Sequence, residues 1–298
     1  MQKLLEDVQL SDLHIAIVGL GLMGGSLAMA LRGSAGKLTG VDRDPESCRL
    51  AKATGVVDDA RLSISEGIAS ADLVILAVPV RSIVTLLNGL PVVRPGGCMV
   101  LDLGSTKSEI TQAMESLPDQ FSTIGGHPMC GREHSGFGAA RADLYRDQTF
   151  VLCRNRRTTA SIENTALNLV RSIGSEPLVM TAERHDRLVA VSSHLPYVLA
   201  SLLMGRAWEA ARLDDRLWQV SASGLRDTTR LAGSEPEMML EILLANKQAV
   251  LEHLEAYGRD LSGFSELLRN GDEAALRDTL QGGQRQRGEY YQRKFGIE

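Results

Sequence analysis

The stretch HIAIVGLGLMGGSLAMAL, residues 14–31, decides the fold. In it an apolar run leads directly into Gly19, Gly21 and Gly24, and a stretch of small residues follows. This order is typical of a strand, a tight glycine turn and a helix, where backbone N–H groups can approach a pyrophosphate and the helix N-terminus offers unpaired donors. The pattern therefore predicts a dinucleotide site. Its predicted cofactor-binding residues are Gly19, Gly21, Leu22, Met23 and Gly24.

An acidic residue stands at the end of the next apolar run, about 20 residues downstream. This residue is Asp42, in LTGVDRDPE, and a carboxylate here can accept the ribose hydroxyls of NAD and repel a 2′-phosphate. The neighbouring Arg43 leaves NADP open, so we expect NAD rather than NADP, with both residues contacting the cofactor. The alternative for Asp42 is an ordinary turn, because Asp and Pro are common turn residues.

The chain up to Met180 alternates between short apolar runs and helical stretches, which predicts an α/β fold with a Rossmann-type doubly wound parallel sheet. The predicted strands are His14–Val18, Leu38–Val41, Leu73–Val78, Met99–Leu103, Ser122–Ile124, Thr149–Leu152 and Leu178–Met180. After Met180 no strand pattern remains, and apolar residues recur at helical spacing over Glu237–Tyr257 and Asp272–Leu280. We therefore expect an NAD-binding Rossmann-type domain over residues 12–181, a helical domain over residues 182–298, and an active site between them.

Composition excludes several other classes of protein. Lys and Arg total 32 against 37 Asp and Glu, and aromatic residues are 4% of the chain, whereas nucleic-acid surfaces need basic and aromatic side chains. The four cysteines form no CxxC pair, which indicates neither a metal site nor disulfides and favours the cytoplasm. Polar residues and Pro196 interrupt the apolar stretch Leu188–Met204, so we expect no membrane partner.

Ligands of open α/β sheets bind beyond the carboxyl ends of the strands, and three predicted strand tips carry informative residues. The tip Ala77–Pro79 is apolar, and its Val78 and Pro79 would wall the cofactor ring. Ser105 lies in DLGSTK, which can equally be the N-cap of the next helix. His127 lies in GGHPM, on a loop at a strand end; we expect a functional histidine there, with a surface histidine as the alternative.

Several longer segments occur in a distinctive order along the chain: GLGLMGGSLA, VDRDPE, ADLVILAVPV, DLGSTKSEI, GGHPMCGREHSG, ERHDRLVAVSSHLP and GLRDTTRLAGSEP. Together they resemble the prephenate/arogenate dehydrogenase family of tyrosine biosynthesis, from about His14 to Phe295. The resemblance implies a helical C-terminal domain for substrate binding and dimerisation, and hence a homodimer. It also implies a cytoplasmic, NAD-dependent oxidoreductase that converts prephenate to 4-hydroxyphenylpyruvate, or arogenate to tyrosine, with no metal.

The resemblance also implies roles for individual residues. His127 would be the catalytic base at the substrate hydroxyl, and Ser105 would orient either that hydroxyl or the imidazole. Arginine forks match carboxylates bidentately, so Arg226 would anchor the substrate, and Arg230 lies four residues later in the same motif. An ion pair with Asp227 or Glu235 is the alternative for these arginines. The remaining predicted substrate-binding residues are His194 and Glu133.

Other readings stay open at the level of sequence. An arogenate- or 4-amino-4-deoxyprephenate-specific dehydrogenase would share these motifs, and a 3-hydroxyacid dehydrogenase of similar layout would use a lysine such as Lys247. A dimeric dinucleotide sensor without catalysis is the alternative from another class. Asn246 interrupts an apolar helical stripe, as either a buried hydrogen bonder or a site residue. Cys130 departs from the small residue expected in GGHPMAG, and hydride chemistry gives its thiol no role.

Overall fold

The computed structural model of the chain describes residues 9–132 and 134–296. The chain forms two compact units, Met1–Lys247 and Gln248–Glu298. The first unit contains a single eight-stranded sheet with the order β3-β2-β1-β4-β5-β6-β7-β8. Its strands are β1 His14–Val18, β2 Lys37–Val41, β3 Asp59–Arg61, β4 Leu73–Leu76, β5 Met99–Asp102, β6 Ser122–Pro128, β7 Thr149–Cys153 and β8 Glu176–Met180.

The first six strands are parallel, in the strand order of a dinucleotide-binding fold. Helices cover both faces of the sheet, and successive residues of β1 therefore pack into two separate cores. Ile15 and Ile17 lie in one core, and Ala16 and Val18 lie in the other. The predicted doubly wound fold is confirmed. β7 then pairs antiparallel with β6, and β8 runs parallel to β7.

Six helices accompany the sheet: α1 Leu22–Leu31, α2 Pro45–Ala53, α3 Ile64–Ile68, α4 Val80–Val93, α5 Ser108–Glu115 and α6 Ala160–Ser172. Five more complete the first unit: α7 Ala182–Val189, α8 Leu195–Ala211, α9 Leu217–Val220, α10 Ser223–Thr229 and α11 Pro236–Ala245. The last two are α12 Lys247–Asn270 and α13 Glu273–Phe295. Asp272 caps α13 by accepting the Ala275 N–H at 3.0 Å.

Two sheet elements differ from the sequence prediction. The short edge strand Asp59–Arg61 carries two charged residues and gives no apolar signal. Strand β6 continues to Pro128, so His127 lies within a strand and not on a loop. The reason is the antiparallel partner β7, which pairs His127 with Val151, a long-range contact that the local GGHP pattern does not encode.

The helical pattern predicted over Glu237–Tyr257 is divided between two helices. The structure ends α11 at Ala245 and begins α12 at Lys247, with Asn246 between them at φ −114° and ψ 26°. The break coincides with a long-range contact, because the buried Asn246 amide is hydrogen-bonded to a backbone carbonyl of α7 at 2.7 Å.

A π-helical turn over Ala190–His194 joins α7 to α8, so helical backbone runs from Ala182 to Ala211. By length and composition this run is sufficient to cross a membrane, with a mean hydropathy of 1.6 in its most apolar window. The polar interruptions seen in the sequence therefore do not break the helix. Core and interface helices of water-soluble proteins can be equally long and apolar, so this run does not by itself indicate a membrane protein.

Candidate active site

The glycine turn between β1 and α1 has the close packing that its sequence predicts. Gly19 adopts φ +97°, in the left-handed region, and a Cβ added at Gly24 would stand 1.8 Å from the Gly19 carbonyl oxygen. Gly21 precedes α1 without any side-chain cap, and no atom lies within 4 Å of where its Cβ would be. The start of α1 therefore has no side-chain cap for its N–H groups and leaves open space beside Gly21, which fits a dinucleotide pyrophosphate.

Asp42 is fixed against this turn. One carboxylate oxygen accepts the Leu20 N–H at 2.6 Å and the other accepts the Asp44 N–H at 2.9 Å. The tip of β4 also lies beside the turn, since a Cβ at Gly19 would approach the Val78 side chain to 2.8 Å. The carboxyl edge of the sheet thus holds the glycine turn, Asp42 and the β4 tip. This combination is suited to holding NAD. Arg43 and Pro79 are exposed at the same edge.

His127 lies half-buried near the carboxyl end of β6, above a buried ion pair. Lys107 and Asp102 form this pair with both side chains fully buried. Asp102 accepts the Gly126 N–H at 3.1 Å, and the Lys107 ammonium donates to the Gly126 carbonyl at 2.6 Å. The pair therefore clamps the backbone of Gly126 on both sides and so fixes the position of the next residue, His127.

A chain of hydrogen bonds leads from His127 into α7. Its Nδ1 lies 2.8 Å from Nε2 of His185, and Nδ1 of His185 lies 2.8 Å from Oδ1 of Asp186. The same carboxylate accepts the backbone N–H groups of Lys107 and Ser108, both at 2.8 Å. Asp186 thus caps α5, and the local cap by DLGSTK considered from sequence does not occur. Both α7 side chains are almost completely buried.

Burial and charge shift the pKa values of this cluster. Burial, and then the neighbouring His185 and Lys107, lower the pKa of His127 well below its usual 6.5, while Asp186 opposes the shift. Burial alone would raise the pKa of Asp186, but the hydrogen bonds from His185 and Ser108 outweigh it and lower the pKa below 3.8. At neutral pH the cluster therefore combines an ionised carboxylate with a neutral His127.

His194 is buried at the end of the π turn. The Asn246 amide nitrogen donates to the Asp186 carbonyl at 2.7 Å and lies 3.2 Å from Nδ1 of His194. Burial lowers the pKa of His194 to about 4. Asn246 therefore joins His194 to the backbone of the His185–Asp186 segment. The sequence left Asn246 as either a buried hydrogen bonder or a site residue, and the structure shows the buried hydrogen bonds.

The DLGSTK tip contains a second kind of polar group. Ser105 is half-buried between β5 and α5. The neighbouring Thr106 hydroxyl oxygen is buried, and within residues 9–132 and 134–296 it has no hydrogen-bond partner. A buried hydroxyl without a partner is costly.

The predicted substrate arginines lie at the surface. Arg226, on α10, is exposed and donates to Oδ1 of Asp227 at 2.8 Å, and the exposed Arg230 begins the next helical turn. Glu133 lies outside the described residues. The structure thus brings His127 together with His185, Asp186 and Lys107, which the sequence did not single out, and the contacts of Arg226 do not include that cluster.

Two domain models cover nearly the whole chain. The prephenate dehydrogenase nucleotide-binding domain matches residues 27–178, and the prephenate dehydrogenase dimerization domain matches residues 181–282. The chain belongs to the prephenate dehydrogenase family. The predicted family, enzyme class and NAD-binding Rossmann fold are confirmed.

Individual members of the prephenate dehydrogenase family agree with this assignment. Prephenate dehydrogenase of Bacillus subtilis is 32% identical over 88% of this chain and 72% of its own length. The crystal structure of Aquifex aeolicus prephenate dehydrogenase with hydroxyphenyl propionate and NAD+ has a TM-score of 0.86 and 30% identity, covering 93% of this chain and 98% of that one. Synechocystis arogenate dehydrogenase has a TM-score of 0.79 and 28% identity, covering 93% and 99%.

The alternative 3-hydroxyacid dehydrogenase finds no support in the site. Lys247, its candidate catalytic lysine, is exposed at the start of α12, whereas its neighbour Asn246 is the buried residue that contacts the histidine cluster.

Proposed function

We propose that the chain catalyses the NAD-dependent oxidative decarboxylation of prephenate, or of arogenate, with His127 as the base. One observation carries this proposal: Nδ1 of His127 is engaged by His185 at 2.8 Å. The other ring nitrogen, Nε2, is thereby left for a substrate at the sheet edge where the glycine turn and Asp42 gather. A neutral imidazole at this position has the protonation state that a general base needs.

The reaction requires a base that accepts a proton from the substrate and later donates it to the product. His127 Nε2 takes the proton of the C4 hydroxyl while C4 loses its hydride, for which bound NAD is the acceptor. The bond from C1 to its carboxylate then breaks, CO2 leaves, and the electron pair enters the ring and reaches the oxygen as phenolate. The imidazolium of His127 returns the proton to that oxygen, so the phenol forms and no net proton is consumed.

Other side chains would hold the substrate. We assign Arg226 to a substrate carboxylate, because a guanidinium matches it bidentately and its present partner, Asp227, is exposed and can be displaced at low cost. His194, neutral with Nδ1 directed at Asn246, can donate from Nε2. Ser105 would orient the substrate hydroxyl from the β5 tip, and Glu133 and Arg230 remain candidates for the pocket rim.

We further propose the predicted domain division, 12–181 and 182–298, and a homodimer formed by the helical domain. The domain models change at residues 178–181, which supports the boundary, and one of them describes a dimerization domain. Large apolar side chains are exposed on α8 and α9, including Leu202, Trp208 and Trp218, as a subunit interface requires. A second copy, and not lipid, would cover them, in keeping with a cytoplasmic enzyme.

The deciding experiment measures kcat/KM for prephenate and arogenate, each with NAD and NADP, on the purified protein. Turnover of either substrate with NAD supports the proposal, and their ratio gives the preference. NAD binding without turnover of prephenate, arogenate or 4-amino-4-deoxyprephenate would overturn it in favour of a dinucleotide sensor.

A further inference from the structure

His127 does not act alone in its hydrogen-bonding geometry. Three side chains form a continuous line: His127 Nδ1 to His185 Nε2 at 2.8 Å, and His185 Nδ1 to Asp186 Oδ1 at 2.8 Å. The two imidazole rings meet edge to face, with centroids 5.0 Å apart and planes inclined by 73°. This arrangement directs a ring nitrogen of one histidine at that of the other.

The acceptor at the end of the line determines where each proton sits. The Asp186 carboxylate is ionised and can only accept, and the N–H groups of Lys107 and Ser108 already donate to it. His185 must therefore donate from Nδ1, and when its ring carries no second proton, its Nε2 is an acceptor. His127 in turn must donate from Nδ1, so the free electron pair of His127 is on Nε2.

One charged group near His127 favours the proton that the ring takes up during turnover. The groups facing this ring are His185, His194, Asp186 and the Lys107–Asp102 pair. The buried lysine is paired with Asp102, and the carboxylate of Asp186 is the group of this set that raises the pKa of His127. It therefore favours a positive charge on the His127–His185 pair during the reaction.

We propose that His185 and Asp186 are positioning residues that hold His127 in the tautomer with Nε2 unprotonated and share the proton it takes from the substrate. As Nε2 of His127 accepts the hydroxyl proton, the Nδ1 proton of His127 moves toward Nε2 of His185, whose own Nδ1 proton remains bonded to Asp186. Return of a proton to the product oxygen reverses the shift, so atoms and charge balance. This inference rests on the proposed function.

The pair His185 and Asp186, called the dyad below, is held in place without any ligand. Its carboxylate caps α5 through two backbone N–H groups, and the Asn246 amide donates to the Asp186 carbonyl at 2.7 Å. A carboxylate held by two backbone N–H groups, on a backbone held by Asn246, loses little further freedom when the substrate binds, which is what a positioning role requires.

The test compares His185→Leu with His185→Gln. Leucine leaves Nδ1 of His127 without an acceptor, whereas the glutamine oxygen can accept from it but cannot pass a proton on. We expect kcat for the leucine variant to fall about 10- to 100-fold, with smaller loss in the glutamine variant. KM and the Kd for NAD should stay within about threefold, because neither residue is required for binding.

A pH profile separates positioning from simple structural support. Asp186→Asn removes the charge that favours the imidazolium, so the acidic limb of kcat/KM should move to lower pH. His14→Leu is the matched control: His14 is also hydrogen-bonded, to Ser70 and Thr39, but begins β1 at the opposite edge of the sheet. This control should leave both kcat and the profile unchanged.

Each outcome has a defined meaning. Absence of turnover by the wild-type protein would overturn the proposed function. Wild-type turnover with unchanged kcat in a folded His185→Leu, or with an unmoved acidic limb in Asp186→Asn, would overturn the dyad alone. If the leucine variant does not fold, ¹⁵N spectra of the wild-type histidines decide, because the dyad requires a protonated Nδ1 on both rings and a proton on Nε2 of His127 would contradict it.

Discussion

The carboxylate of Asp186 accepts the backbone N–H of Ser108 at 2.8 Å, although 78 residues separate the two in sequence. A helix that follows a strand of the sheet is thus capped by a side chain from the helical half. The same carboxylate is hydrogen-bonded to His185. The residue that caps the N-terminus of α5 therefore also orients His185 toward His127.

His127→Gln should lower kcat by about 10² to 10⁴, the usual contribution of a general base. Glutamine can still donate a hydrogen bond to His185 or accept one from the substrate, but it does not take up a proton near neutral pH. Steady-state kinetics with prephenate and NAD measure the effect. A near-normal kcat would remove His127 from the role of base.

Arg226→Ala should mainly raise KM, because a carboxylate anchor acts in the ground state and the transition state alike. Arg212 provides the control, since it is exposed on the helical half and pairs with Glu209 but has no proposed contact with substrate. Arg212→Ala should leave KM unchanged. A fall in kcat alone for Arg226→Ala would instead indicate an orienting role.

Gly24→Ala should abolish tight NAD binding. The added Cβ would stand 1.8 Å from the Gly19 carbonyl oxygen, so α1 must move away from the turn that is proposed to hold the pyrophosphate. Gly89→Ala, in the exposed face of α4 with open space around it, should bind NAD normally. Calorimetric titration with NAD compares the two, and equal affinities would contradict the proposed cofactor site.

Lys107→Met should destabilise the fold by about 3–5 kcal/mol, the usual cost of removing one partner from a buried ion pair. The substitution leaves Asp102 charged and buried, and it deprives the Gly126 carbonyl of its donor. Urea unfolding measures the change. Asp119→Asn removes the exposed partner of Arg157 and should change stability little, so similar effects of the two variants would refute the clamp.

Stability should fall as the pH falls below 6.5. The folded-state pKa of His194 is lowered to about 4 by burial, whereas the unfolded chain binds the proton near 6.5, so protonation favours unfolding throughout that interval. For His194 alone the loss at pH 5 is roughly 2 kcal/mol, and His127 shifts in the same direction. Urea unfolding at pH 7 and pH 5 tests this, and His194→Phe should reduce the difference.

The parts of the site that are local in sequence could be predicted, and the long-range parts could not. Gly19, Gly21, Gly24 and Asp42 belong to one strand–turn–helix–strand unit, so their spacing already determines their geometry. The place of His127 at a predicted strand end drew attention to it, and the family resemblance gave it the role of base. Its partners His185 and Asp186 lie in ERHDRL, which has the pattern of an exposed, charged first turn of a helix, and only tertiary pairing over 58 residues brings the rings together.

Lys107 was missed for a similar reason. A lysine after Ser105 and Thr106 is typical of a solvated helix start, and its complete burial depends on Asp102 and the Gly126 carbonyl, which belong to two adjacent strands. The sequence did contain one usable signal at Asn246, whose amide interrupts an apolar stripe. Its partner in α7 could not be identified until the helices were assembled.

The π turn over Ala190–His194 makes the length of this segment as important as its composition. Each residue advances an α-helix by about 100°, and a π turn holds one residue more than the α-helix needs. The turn therefore takes up that residue without the rotation of α7 against α8 that an insertion into a regular helix would impose. The exposed residues Val191, Ser192 and Ser193 should tolerate substitution, whereas a second inserted residue would rotate His185 and Asp186 by about 100° relative to α8.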